Sequence, residues 1–146
     1  MSASIVKSVT RADGEKRKHL LLVDDEPEFR FSAAVALRGG GYRVSTAEDG
    51  REGLAKMIMA QSNGDPFSLL LTDIRMPGMS GLDLIDEMRR LGFDMPVVVA
   101  TGYGDASLFE DLVDRGCPEY LDKPFEPQDL IRRVERLLEK TEKEPS

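Results

Sequence analysis

Hydrophobic and polar positions follow two rhythms along this chain. Five short apolar runs end in polar residues: His19 to Val23, Tyr42 to Ala47, Ser68 to Asp73, Pro96 to Ala100 and Glu119 to Asp122. Runs of this length read as strands, and Leu69-Leu70-Leu71 reads as one buried on both faces. Stretches of helical period separate them. Phe29, Ala33, Ala36 and Leu37 share one face of a helix running to about Arg38. Leu54, Met57 and Ile58 point inward from a second, ending near Ala60, and Leu84, Ile85, Met88 and Leu91 from a third. Leu108, Leu112 and Val113 define the fourth, from about Ala106 to Arg115, and Leu130, Ile131, Val134, Leu137 and Leu138 the fifth. Gly39-Gly40-Gly41 follows a helix rather than a strand, so it reads as a terminator and not as a phosphate loop. Five strands alternating with five helices predict an α/β fold: one parallel sheet, helices on both faces, right-handed crossovers.

Length and composition bound this picture. A chain of 146 residues with 40% hydrophobic content suits one domain with a proper core. Residues 18–140 carry the periodic pattern, residues 1–17 read as a flexible lead, and residues 141–146 read as a frayed tail. Net charge is −7, and residues 1–18 hold five basic and two acidic side chains, which leaves about −10 on the remainder. That balance argues against nucleic-acid binding through bulk charge. No apolar run reaches membrane-span length and no signal peptide is visible, so the expected setting is cytoplasmic, without membrane insertion. The single Cys117 excludes an internal disulfide. Without a second His or Cys to share a metal, Cys117 and His19 read as structural.

The chemistry lies at the strand ends. A parallel sheet brings Asp24 and Asp25, Asp73, Thr101 and Lys123 to one edge, and ligands of open α/β sheets bind beyond the strands' carboxyl ends. Singly, each residue has an ordinary use: Asp24 and Asp25 as helix caps, Thr101 as a β-branched strand residue, Lys123 as a surface lysine. Together they converge on one crevice and are the polar residues a phosphoryl site would want. Like carboxylates about 5 Å apart repel by roughly 3 kcal/mol at an effective dielectric near 20, a cost that a divalent cation and a lysine offset. Magnesium takes oxygen ligands, the charge of a transferring phosphoryl group falls to the metal and Lys123, and a carboxylate nucleophile gives an acyl phosphate.

These residues carry a resemblance. Val23-Asp24-Asp25-Glu26-Pro27, Thr72-Asp73-Ile74-Arg75-Met76-Pro77-Gly78-Met79-Ser80-Gly81, Ala100-Thr101-Gly102-Tyr103-Gly104-Asp105 and Tyr120-Leu121-Asp122-Lys123-Pro124-Phe125 occur in that order. In this the chain resembles the receiver domain of bacterial two-component response regulators, over roughly residues 18–140. The resemblance implies a flavodoxin-like (βα)5 fold with strand order 2-1-3-4-5 and a cis Lys123-Pro124 bond. It implies Asp73 as phosphoacceptor, Lys123 and Thr101 as phosphate contacts, and Tyr120 with Thr101 as the switch. Magnesium would sit on Asp24, Asp25, Asp73 and the backbone carbonyl of Arg75. Arg75 and Tyr103 stand where the family varies and where the lifetime of the phosphoryl group is set.

The partners implied are a histidine kinase or histidine phosphotransfer protein as donor. The output is a downstream protein target, or a second copy of the chain, met through the face of the fourth helix, fifth strand and fifth helix. Phe109 lies on that face beside Leu108 and Leu112. An Asp-nucleophile phosphatase or phosphotransferase is the competing reading. Such enzymes resemble Asp-x-Asp, whereas Arg75 stands two residues after Asp73. An acceptor-dead binding domain is a third, opposed by the five intact residues. The expectation is a stand-alone signalling receiver, not an enzyme, rather than a fragment of a longer regulator.

Overall fold

The structure is a computed structural model that describes residues 17–102 and 104–143. Residues 1–16 of the lead, Tyr103, and residues 144–146 lie outside the described residues. Five strands and five helices alternate among the described residues: β1 (His19–Val23), α1 (Pro27–Gly39), β2 (Arg43–Ala47), α2 (Gly50–Ser62), β3 (Leu69–Thr72), α3 (Gly81–Arg90), β4 (Val97–Thr101), α4 (Ala106–Asp114), β5 (Tyr120–Asp122) and α5 (Pro127–Lys143). The strands form one parallel sheet in the order β2-β1-β3-β4-β5, as expected.

Period-two alternation divides the core. Leu21, Val23, Leu70, Val97 and Val99 face one way, onto Met57, Leu84, Ile85, Met88, Leu108 and Leu112 of α2, α3 and α4. Leu20, Leu22, Leu69, Leu71, Val98 and Ala100 face the other, onto Ala33, Leu37, Leu130, Val134 and Leu138 of α1 and α5. The central strands therefore have no polar face, which is why their sequence is a continuous apolar run.

Helix starts are specified locally. Pro27 opens α1, where its missing N–H costs nothing. Asp49 accepts from the Glu52 N–H at the head of α2, Ser80 and Asp83 form a capping box on α3, and Asp105 accepts from the Leu108 N–H on α4.

Three expected core positions are corrected. Ile58, Leu91 and Val113 are exposed. Ile58 and Val113 each follow a buried residue, Met57 and Leu112, and one residue is about 100° of helix, enough to leave the packed stripe. Leu91 is the C-cap of α3 rather than part of its last turn. Gly92 then reverses the chain and Met95 takes the core position. α5 continues to Lys143, three residues into the segment read as the tail.

His19 and Cys117 are built into the packing. The His19 ring lies 4.4 Å from the Phe67 ring, its Nε2 is 2.8 Å from Ser45 Oγ, and its Nδ1 is 3.4 Å from Asp65, which Arg43 holds through two hydrogen bonds. Buried Cys117 donates to the Arg115 carbonyl and accepts from Arg89.

Candidate functional site

Register sets the site. Val23 pairs with Thr72 across β1 and β3, so the next residues, Asp24 and Asp73, leave the sheet side by side. Their amides still follow the ladder, with Asp24 N–H donating to Ala47 O and Asp73 N–H to Val23 O, both at 3.1 Å. Thr101 pairs with Asp122, and the Lys123 N–H donates to the Thr101 carbonyl at 2.9 Å. The four strand ends therefore open onto one edge.

At that edge Lys123 Nζ donates to Asp24 Oδ2 at 2.8 Å, to Asp73 Oδ2 at 2.9 Å and to Glu26 Oε1 at 2.6 Å. Ligand oxygens of Asp24, Asp25 and Asp73 lie within 4.8 Å of one another, so these three acids could hold a metal ion. Asp24 and Asp73 are buried and Asp25 is half-buried. Asp73 Oδ1 accepts from the Ile74 N–H at 2.6 Å, and Asp24 Oδ1 from the Glu26 N–H at 2.9 Å. Thr101 is buried at the end of β4, and the Arg75 side chain is exposed in the loop after Asp73. The Lys123-Pro124 bond is cis, as expected.

The comparisons with known proteins fit this geometry. The family described as response regulator receiver domain matches residues 20–135. The chain belongs to that family. This receiver is 33% identical over 125 residues to the C4-dicarboxylate transport transcriptional regulatory protein DctD of Pseudomonas aeruginosa, a match covering 86% of this chain and 26% of that protein. It is 35% identical over 122 residues to the response regulator MprA of Mycolicibacterium vanbaalenii, covering 84% of this chain and 51% of that one. The receiver thus spans roughly a quarter to a half of these two relatives. Among solved structures, a CheY-like receiver domain protein from Methanospirillum hungatei superposes with a TM-score of 0.79 at 32% identity, covering 89% of this receiver and all of that chain. The Vibrio cholerae chemotaxis protein CheY4 gives 0.75 at 30% identity, covering 83% and 98%.

Electrostatics hold the receiver's site together. Burial pushes the Asp24 carboxyl above its ordinary value, against the pull of Lys123 and the Glu26 amide. Burial alone would lower the Lys123 ammonium. Its hydrogen bonds to Asp24, Glu26 and Asp73 outweigh that and hold it above the ordinary lysine value, so it stays charged. The Phe29 ring lies beneath the ammonium, 4.0 Å from centroid to Nζ, and meets Phe125 edge-on at 5.7 Å.

Two small residues shape the surroundings. Gly81 N–H donates to the Ile74 carbonyl at 2.8 Å, and a Cβ at Gly81 would lie 2.0 Å from the Asp73 carbonyl oxygen. The start of α3 therefore rests directly on the backbone of Asp73. Tyr120 is half-buried on β5, and its hydroxyl donates to Asp122 Oδ1 at 2.7 Å. A Cβ at Gly104 would lie 1.9 Å from that hydroxyl oxygen, so the ring edge lies against Gly104.

Sequence reasoning missed two residues here. Glu26 was passed over as part of an acidic run, and Phe29 was assigned only to the apolar face of α1. The one available signal for Glu26 was a third consecutive acid at a strand end. Phe29 gave none, because a ring beneath a lysine and a ring in a core occupy the same helical position.

Proposed function

We propose that this receiver accepts a phosphoryl group on Asp73 from a phosphohistidine of a histidine kinase or phosphotransfer protein, in a cytoplasmic setting. The observation that carries the reading is the pair of acceptor contacts: one carboxylate oxygen on the Ile74 amide, the other on Lys123. The first contact fixes the carboxylate's orientation, and the second places a permanent cation where charge develops. One Asp73 oxygen forms the new O–P bond as the P–N bond to the donor breaks, and the electron pair leaves with the imidazole. Lys123 then turns to a phosphoryl oxygen, and Thr101 donates its hydroxyl to another. Asp24, Asp25 and Asp73 supply hard oxygen donors that suit magnesium, with the Arg75 carbonyl as a further ligand. Magnesium bound there would neutralise charge on the transferring oxygens. Its cost to bind is reduced because the acids already repel one another.

The output follows from Tyr120. Its hydroxyl is tied to Asp122 and its ring lies against Gly104 at the mouth of the β4–α4 loop. Movement of Thr101 toward a phosphoryl group shifts the balance between two ring positions and with it the face of α4, β5 and α5. Exposed Phe109 lies on that face, available to a downstream protein or a second copy. The reading treats the chain as a signalling module rather than an enzyme, active on no substrate other than its own acyl phosphate, with no direct nucleic-acid contact. Residues 18–140 form the functional unit.

The test is incubation with a small acyl phosphodonor and magnesium. Intact mass should rise by one phosphoryl group, and Asp73→Asn should take up none. Label in Asp73→Asn would place the acceptor elsewhere. Amide spectra with beryllofluoride should change on α4, β5 and α5, and changes restricted to the loops around Asp73 would exclude the switch.

A further inference from the structure

Lys123 has three N–H donors, and all three are spent on carboxylates: Asp24, Asp73 and Glu26. Donation to a phosphoryl oxygen requires that one of them be released. The three acceptors differ in how easily they let go. Asp24 is 1% exposed and Asp73 5% at the side chain, whereas Glu26 is 61% exposed and Lys123 itself 12%. In the resting receiver, a released Asp24 or Asp73 would be a buried carboxylate without its lysine, which is costly. A released Glu26 turns into water. Its contact is nevertheless the shortest of the three.

We propose that Glu26 is a positioning residue that competes with the incoming phosphoryl group for Lys123. In the resting receiver it occupies the donor that the phosphoryl oxygen will take. It also presents a negative charge to an approaching phosphate. The Phe29 ring beneath Nζ keeps the ammonium at the site while this donor changes partners. The inference rests on phosphoryl acceptance by Asp73 and concerns its rate. Acceptance begins from a state in which Lys123 is held by Glu26. Loss of the phosphoryl group begins from one in which Lys123 has already left it. Glu26 therefore retards acceptance and leaves loss nearly untouched.

The experiment measures both rate constants with acetyl phosphate and magnesium, and separately the affinity for beryllofluoride. Glu26→Gln, which keeps the shape and removes the charge, should accept about fivefold faster, near the upper end for a partly exposed ion pair. It should bind beryllofluoride tighter by a similar factor, while first-order loss changes less than about twofold. Glu26→Asp should also accept faster than wild type, because the shorter side chain no longer reaches Nζ, but less so, because the charge remains. Acceptance equal to or slower than wild type in Glu26→Gln, or acceptance and loss altered by the same factor, would overturn the inference. Wild-type protein that takes up no phosphoryl group would instead overturn the acceptor reading on which it depends.

Discussion

Replacing Gly81 by alanine tests whether α3 positions Asp73, the proposed acceptor. Propensity alone predicts a gain, since alanine is favoured over glycine in helices by up to about 1 kcal/mol. The structure predicts a loss. The added Cβ would sit 2.0 Å from the Asp73 carbonyl oxygen and 2.9 Å from both the Asp73 carbonyl carbon and Ile74 Cα, whereas ordinary contact begins near 3.4 Å. About 1.4 Å must open against the nearest atom, and every neighbour is backbone rather than a side-chain tip. The same carbonyl already accepts from the buried Thr72 hydroxyl at 2.8 Å, so it cannot swing aside freely. Overpacking of this kind costs about 1–3 kcal/mol. After the propensity gain, a net loss of up to about 2 kcal/mol remains, or a melting temperature lower by up to roughly 8 °C for a domain of this size. Displacement of the acceptor by about 1 Å should also slow phosphoryl acceptance by as much as a hundredfold. Thermal melts and labelling rates are to be read beside Gly53→Ala, where the new Cβ meets side-chain methyls alone, the nearest a Val23 methyl at 2.8 Å, and the loss should be smaller. A Gly81→Ala protein that melts at or above wild type, with wild-type acceptance, would refute the reasoning.

Lys123→Met should leave Asp24 and Asp73 without their cation and cost about 2–4 kcal/mol, somewhat below the full cost of stranding a buried charge because Asp24 can take up a proton. Urea midpoints measure the loss, and added magnesium should restore part of it. The His19 imidazole is held below its ordinary value by burial and Arg43, against Asp65. Below about pH 6.5 the unfolded chain therefore takes up a proton that the folded one resists. This contribution is complete above pH 6.5 and lost as pH falls through the folded value. Urea midpoints at pH 7.5 and 5.5 should differ more in wild type than in His19→Gln, and an equal difference would dismiss the effect. Gly104→Ala should drive the Tyr120 ring from its place and break the Asp122 hydrogen bond, seen as shifted Tyr120 ring resonances. A ring unmoved in that variant would mean that the loop yields instead.

Most of the fold was legible because each level of the sequence agrees with the others. Leu69-Leu70-Leu71 reads as a doubly buried strand and is one, and the polar residues that end the strands emerge at one edge because a parallel sheet in register leaves no other place for them. The failures are of two physical kinds. Ile58 and Val113 were misplaced because periodicity resolves a stripe only to about one residue, and apolar side chains flanking the stripe look the same as those within it. Glu26 and Phe29 were missed because their roles depend on where Lys123 points, which is settled 97 residues away from Glu26 along the chain. Of the site, the cluster of Asp24, Asp25, Asp73 and Lys123 was readable, since each stands at a strand end. The crowding of Asp73 by Gly81 was not, because a glycine at the start of a helix carries no mark of what its missing side chain would strike.

The lysine clasp has a consequence for how the protein is made. Lys123 reaches Asp73 across 50 residues of chain and Asp24 across 99. On the ribosome, the three acids at the ends of β1 and β3 are synthesised well before their counter-charge. A nascent chain that has produced β1 to β4 thus carries a concentrated negative edge without the lysine that meets it in the folded chain, and that contact must await the residues after β5. Long-range contacts of this kind slow folding, and here they join three of the residues proposed to carry the chemistry. A chain arrested before residue 123 would hold Asp73 but lack the lysine that meets its carboxylate in the finished fold. An unfinished receiver is therefore expected to lack the lysine on which the proposed phosphoryl acceptance depends.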